Sequence, residues 1–200
     1  MLTIPRDTYL ALVGMKSSTL DQRVRVGEAA FAFGVTERPT YGEYFYIDAF
    51  AMILASMINC FTGLELKRTV SALRKQWDEY LTVLVKTEHS PGEQQFCCIA
   101  WTSLDRRVDP RVIFGDSAEI GAKLPEVEGI VPTFIPISLP LNALKANALK
   151  ANAKRANIEL PAKLTADPKD EPAYAEWRRE IRDYQQRAGM RIAKPRPVTA

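Results

Sequence analysis

The 200-residue sequence predicts a mainly α protein with a small β component, an α+β chain. Three observations predict it. Thr3–Gly27 reads as two short helices joined by a tight turn at Gly14. Ala49–Phe61 and Leu64–Leu84 carry apolar residues at helical spacing. Short runs rich in aromatic or β-branched residues, Ala29–Gly34, Glu43–Ile47 and Gln95–Thr102, read as strands between turn-forming stretches.

The first helix opens with Thr3 as its cap, Pro5 in the first turn where a missing N–H costs nothing, and Asp7 at the positive end. Ile4, Tyr9, Leu10 and Val13 form its apolar face. Gly14 supplies the left-handed residue that stops it, and Met15 plugs the corner. The second helix restarts at Ser17 or Ser18, where Ser18-x-x-Asp21 matches a capping box. Leu20 and Val24 share its inner face, while Lys16, Ser17, Ser18, Thr19, Gln22, Arg23 and Arg25 point outward. Helix, glycine turn and polar second helix form the layout of a helix-turn-helix, which predicts a double-stranded DNA partner.

Behind it, Ala29–Gly34 and Glu43–Ile47 flank the turn-rich Val35–Gly42 and predict a β-hairpin, a wing with Arg38 at its tip and Tyr41 beside it. The plain alternative is a hairpin that only closes a small core with Phe31, Phe33 and Phe45. Asp48 caps the next helix, Ala49–Phe61, which is apolar nearly all round and so buried. Thr62 caps another helix from Leu64, with Leu66, Val70, Leu73, Trp77, Tyr80 and Leu84 at alternating steps of four and three. That seam predicts a dimerisation helix; packing within the monomer is the alternative.

Leu81–Lys86 is β-branched enough to serve instead as the first arm of a hairpin with Gln95–Thr102, across the loop Thr87–Gln94. Arg111–Phe114 reads as a third strand, followed by a short helix to Leu124. Gly129–Leu139 is apolar but holds Pro132 and Pro136, which suit an extended arm or an edge strand. Three pentads follow, Ala143–Asn147, Ala148–Asn152 and Ala153–Asn157, helical by their alanines. A period of five does not match 3.6, so Leu144 and Leu149 cannot share a narrow face. Pro161–Glu171 reads as a linker, Pro172–Ala188 as a last helix, and Arg191–Ala200 as a basic end. The chain divides into a winged helix-turn-helix (1–63), an amphipathic helix (64–86), a small α+β region (87–140) and a basic helical tail (141–200).

Composition sets the other expectations. Apolar content of 46% with 26% charged residues describes a soluble globular protein, and no apolar run reaches a membrane span. The absence of a signal core near Arg6 and Asp7 predicts a cytoplasmic protein. Three cysteines without CxxC spacing and a lone His89 predict neither metal nor cofactor, and no catalytic motif predicts an enzyme. Cys97 or Cys98 with His89 is the nearest approach to a catalytic pair, set across a loop within an apolar strand. Net charge is only +3. Residues 1–47 hold five basic and five acidic residues, whereas residues 141–200 hold thirteen and seven. A DNA contact resting on phosphate neutralisation therefore looks to the tail for help.

The residues Thr3-Ile4, Leu10, Gly14-Met15, Thr19-Leu20, Gly42, Asp48-Ala49-Phe50 and Gly63-Leu64 resemble the winged helix-turn-helix of the MerR family and the related excisionases. The resemblance covers residues 3–63. It departs from the family at Gln22-Arg23, where an aromatic pair is usual, and at Lys16, where a serine caps. It implies that the second helix enters the major groove, with Arg23 and Arg25 on bases or phosphates and Gln22 on an adenine edge. It implies also that Ser17, Ser18 and Thr19 hold phosphates, while Arg38 and Tyr41 brace the wing. The expected function is a transcriptional regulator acting as a homodimer, with the C-terminal half open to a protein partner. The alternatives are an excisionase-like or viral packaging factor on DNA, or a protein-interaction module without DNA.

Overall fold

The computed structural model describes residues 3–29, 43–90, 92–102, 110–124, 130–161 and 164. Within these the chain is mainly helical with two small antiparallel sheets. The first sheet differs from expectation. Thr3–Pro5 is a strand, β1, rather than the start of a helix, and it pairs with Glu43–Phe45 (β2), Ile4 opposite Tyr44. Burial of Ile4 and Tyr44 outweighs the capping preference of Thr3. Pro5 sits just before the helix with an extended backbone, which its ring tolerates as readily as a first turn. Most of the expected wing, including Arg38 and Tyr41, lies outside the described residues.

Helix α1 (Arg6–Val13) buries Tyr9 and Leu12. It ends as expected at Gly14, whose φ of 65° is left-handed. The Gly14 N–H donates to the Ala11 carbonyl at 3.2 Å and the Met15 N–H to Leu10 at 3.0 Å, the paired bonds of a Schellman stop. A Cβ at Gly14 would find ordinary space, 3.7 Å from Asn147 Nδ2, so any cost of a side chain there is backbone cost alone. Gly14→Ala is expected to lower stability by about 1–2 kcal/mol in chemical denaturation; a neutral result would show that the turn relaxes.

Helix α2 (Ser17–Val26) starts two residues earlier than a Ser18 cap requires. Lys16 holds the cap position without a side-chain bond, and Asp21 serves a different partner, described below. Helix α3 (Tyr46–Thr62) likewise begins before its expected cap. Tyr46 and Ile47 are helical rather than strand, and Asp48 lies in the first turn, where its carboxylate accepts the Phe45 N–H at 3.0 Å. The helix is buried all round from Ile47 to Ala55, then surfaces at Asn59, Cys60 and Phe61.

The single amphipathic helix expected from Leu64 is two helices, α4 (Leu66–Lys75) and α5 (Trp77–His89), broken at Gln76. Leu66, Val70, Leu73, Tyr80 and Leu84 are all buried within this chain. The Tyr80 ring meets Phe50 of α3, and its hydroxyl donates to the Ile47 carbonyl at 3.2 Å. The side chain of Trp77 lies outside the described set. The described members of the 4-3 seam thus pack inside this chain. Leu81–Lys86 belongs to α5 and forms no hairpin arm.

The second sheet has the order β4-β3-β5, with β3 at Phe96–Thr102, β4 at Arg111–Gly115 and β5 at Ile130–Pro136. Pro132 and Pro136 sit on an edge strand, as their missing donors demand. Spaced four apart, they share one parity, so both lack an N–H on the side away from β3. The opposite parity faces β3, and just beyond the strand the Ile137 N–H continues it, donating to the Gln95 carbonyl at 2.9 Å. Between β4 and β5, helix α6 (Ser117–Lys123) is capped by Asp116, which accepts from Ala118 and Glu119.

Helix α7 (Ser138–Asn152) takes up the first two pentads and packs on α1 and α3, whereas the third, Ala153–Asn157, lies past its end in a turn with Arg155 and Asn157 at positive φ. Leu144 is buried and Leu149 is 71% exposed, the split that a five-residue period requires. The chain then turns back. Asn152 clamps Ile158 through both its amide atoms, and the Tyr46 hydroxyl donates to the Glu159 carbonyl. One cluster of buried side chains runs from Ile4 to Ile158, drawing on all four segments read from the sequence. The expected linker and last helix lie outside the described residues, apart from Pro161 and Leu164.

Candidate nucleic-acid interface

Leu20 is the anchor of α2: it is fully buried, and Val24 packs beside it on the core. Burying that one stripe leaves Lys16, Ser17, Ser18, Gln22 and Arg25 exposed, with Thr19 at the border. The steps from Leu20 to Val24 set the helix rotation, so these residues fall where the sequence puts them, and Arg23, also expected to face outward, does not.

A second lock is electrostatic. Arg6, the first residue of α1, reaches across to α2 and donates to Asp21 at 2.6 Å and to the Ser17 hydroxyl at 2.9 Å. The hydrogen bond to Asp21 is the main cause that raises the Arg6 guanidinium above its ordinary value. Sequence inspection missed this pair because its members lie fifteen residues apart, with no local pattern joining them. The lock also means that Ser17 and Arg6 are engaged within the fold.

Arg23 is half-buried, and its guanidinium donates to Ser56 of α3 at 3.4 Å. It therefore holds α2 against α3, whereas Arg25, two residues on, stands free of the core side and exposed. Past the end of α2, Arg74 of α4 donates to the Ala29 carbonyl at 3.1 Å, and burial pulls its guanidinium below the ordinary value. On the other side of the turn, the Asn147 amide of α7 donates to the Leu12 carbonyl at 2.7 Å, satisfying an orphan carbonyl at the end of α1. Neither Arg74 nor Asn147 is marked by any sequence signal, since both act across long stretches of chain.

Elsewhere the chemistry is quiet. Among the described residues no three His, Cys, Asp or Glu side chains gather where a metal ion would sit. Cys97 and Cys98 are buried free thiols; burial raises Cys97 well above its ordinary value and pushes Cys98 up to about 11. At neutral pH both are protonated and so poor nucleophiles. No described helix is long and apolar enough to cross a membrane. Comparison with known proteins gives no match, either to a protein-family profile or to a curated sequence.

Proposed function

We propose that the chain is a DNA-binding protein whose α2 reads duplex DNA from the major groove, in the manner of a winged helix-turn-helix regulator. One observation carries this reading. A ten-residue helix follows a glycine turn, is fastened by Leu20 and the Arg6–Asp21 pair, and turns a polar, partly cationic face outward. A reading head needs that combination of rigid seating and exposed donors. On this face Gln22 and Arg25 are the base-reading candidates, while Lys16, Ser17 and Ser18 lie at the helix start, where backbone N–H groups favour phosphate. Arg23 steadies the helix through Ser56, so its part in the contact is secondary. The resemblance to the MerR family and excisionases supports the same assignment, and a dimer on two half-sites remains part of the proposal, as do the wing contacts of Arg38 and Tyr41.

The test is binding of the full chain to a random-sequence duplex, followed by anisotropy across a salt series. Lys16→Ala together with Arg25→Ala is expected to weaken binding and to lower the slope of log K against log salt by about 2. Both residues are exposed, so circular dichroism should not change. Unchanged affinity in the double variant would sink the assignment of α2. A wild-type chain that ignores duplex DNA at low salt would favour a protein-interaction module, a reading helped by the engagement of Arg6 and Arg23 within the fold.

A further inference from the structure

The segment Ser138–Ile158 contains Lys145, Lys150, Lys154 and Arg155 and no acidic residue. All four cations are exposed. This cationic element is not a free tail. Asn147 fixes it to the end of α1, and the same amide nitrogen stands 3.7 Å from where a Gly14 side chain would begin. Helix α7 therefore abuts the turn that separates α1 from α2.

Helix geometry then sorts the lysines. At roughly 100° per residue, Lys150 lies about 60° around the axis from Asn147 and Lys154 about 20°, while Lys145 lies about 160° away. Lys154 follows the helix end closely, since Ala153 keeps the right-handed conformation and the Lys154 N–H still donates to Ala151 at 2.9 Å. Lys150 and Lys154 thus share the flank on which Asn147 meets the turn. Lys16 stands at the other end of that turn, exposed at the start of α2. Residues 1–47, which include the helix pair, hold as many acidic as basic residues, and two arginines of the pair are engaged internally.

We infer that Lys150 and Lys154 extend the reading surface as a phosphate clamp, gripping the DNA backbone beside the groove that α2 enters. The inference rests on the DNA-binding reading of α2. Clamp and reading helix divide the work: phosphate contacts supply sequence-independent affinity, and base contacts supply preference. This answers how an N-terminal region without net charge meets a polyanion, by borrowing cations from a helix more than a hundred residues downstream.

The experiment compares three full-length proteins, wild type, Lys150→Gln with Lys154→Gln, and Gln22→Ala with Arg25→Ala, on duplex pools of random sequence across a salt series. The lysine variant is expected to bind severalfold more weakly on every sequence, with the salt slope lowered by about 2 and the selected sequence preference unchanged. The α2 variant is expected to change the preference itself. If the α2 variant is impaired and the lysine variant matches wild type, the clamp is overturned and the reading of α2 stands. If the wild type does not bind duplex, both fall. If the lysine variant loses binding only to vesicles rich in anionic lipid, the stripe is a membrane contact and the clamp is again overturned.

Discussion

Tyr80→Ala is expected to destabilise the protein by about 3–5 kcal/mol, a loss of the same size at every protein concentration. Tyr80 is the hub between layers. Its ring lies 5.5 Å from Phe50 on α3 and 5.8 Å, edge-on, from Phe114 on β4. Truncation would leave a cavity between helices and sheet, and it would remove the bond to the Ile47 carbonyl at the start of α3. Tyr80→Phe isolates that bond and should cost only about 1 kcal/mol. Urea denaturation at two protein concentrations, tenfold or more apart, checks the claim. A seam between two copies would behave otherwise: the loss would grow with concentration, and the alanine variant would sediment as a smaller species. A loss below about 1 kcal/mol accompanied by dissociation would overturn the assignment of Tyr80 to the monomer core.

The second large effect is alkaline unfolding. Burial raises Tyr9 and Tyr80 well above the ordinary phenol value of 10.0, and Cys97 well above the ordinary thiol value of 9.0. Cys98 is pushed up to about 11 by the same cause. The folded chain therefore holds these protons more tightly than the unfolded chain does. Their contribution is complete below the unfolded values and is lost as pH rises through the folded ones. Loss begins near pH 9 with the thiols and steepens above pH 10 as the phenols join. Each group adds a slope of up to about 1.4 kcal/mol per pH unit, so several acting together should unfold the protein within about two units above pH 10. Denaturation at stepped pH, with tyrosinate absorbance followed alongside circular dichroism, measures it. Part of the tyrosinate signal should appear only with unfolding, and Tyr9→Phe with Tyr80→Phe should remove that part. A full tyrosinate wave centred near 10 in a folded protein would refute the account.

Much of this architecture was legible because local chemistry and tertiary context agree. Gly14 reads as a helix stop and is one; Arg111–Phe114 reads as a strand before a short helix and is one; two prolines four apart suit an edge strand and sit on one. The misreadings came where a distant partner outbid a local preference. Thr3 is a good cap by itself, but β2 draws Thr3–Pro5 into a sheet. Asp21 matches a capping box, but Arg6 takes it. The regular steps from Leu66 to Leu84 describe an apolar stripe, and nothing in a stripe says whether its partner is a second copy or the same chain's Phe50 and Phe114. For the candidate interface, the exposed face of α2 followed from Leu20 and Val24, whereas the half-burial of Arg23 and the arrival of α7 at the turn depend on long-range contacts. The basic tail was visible as composition; its attachment beside α1 was not.

That attachment also sets an order in time. The Leu12 carbonyl closing α1 waits for the Asn147 amide, 135 positions later in the chain. At ordinary synthesis rates that interval is on the order of ten seconds. During it the first two helices exist without the helix that packs against them, and their core partners on α3 arrive well before α7 does. Among the described elements, this helix pair is therefore one of the earlier ones to be made and one of the last to be fastened.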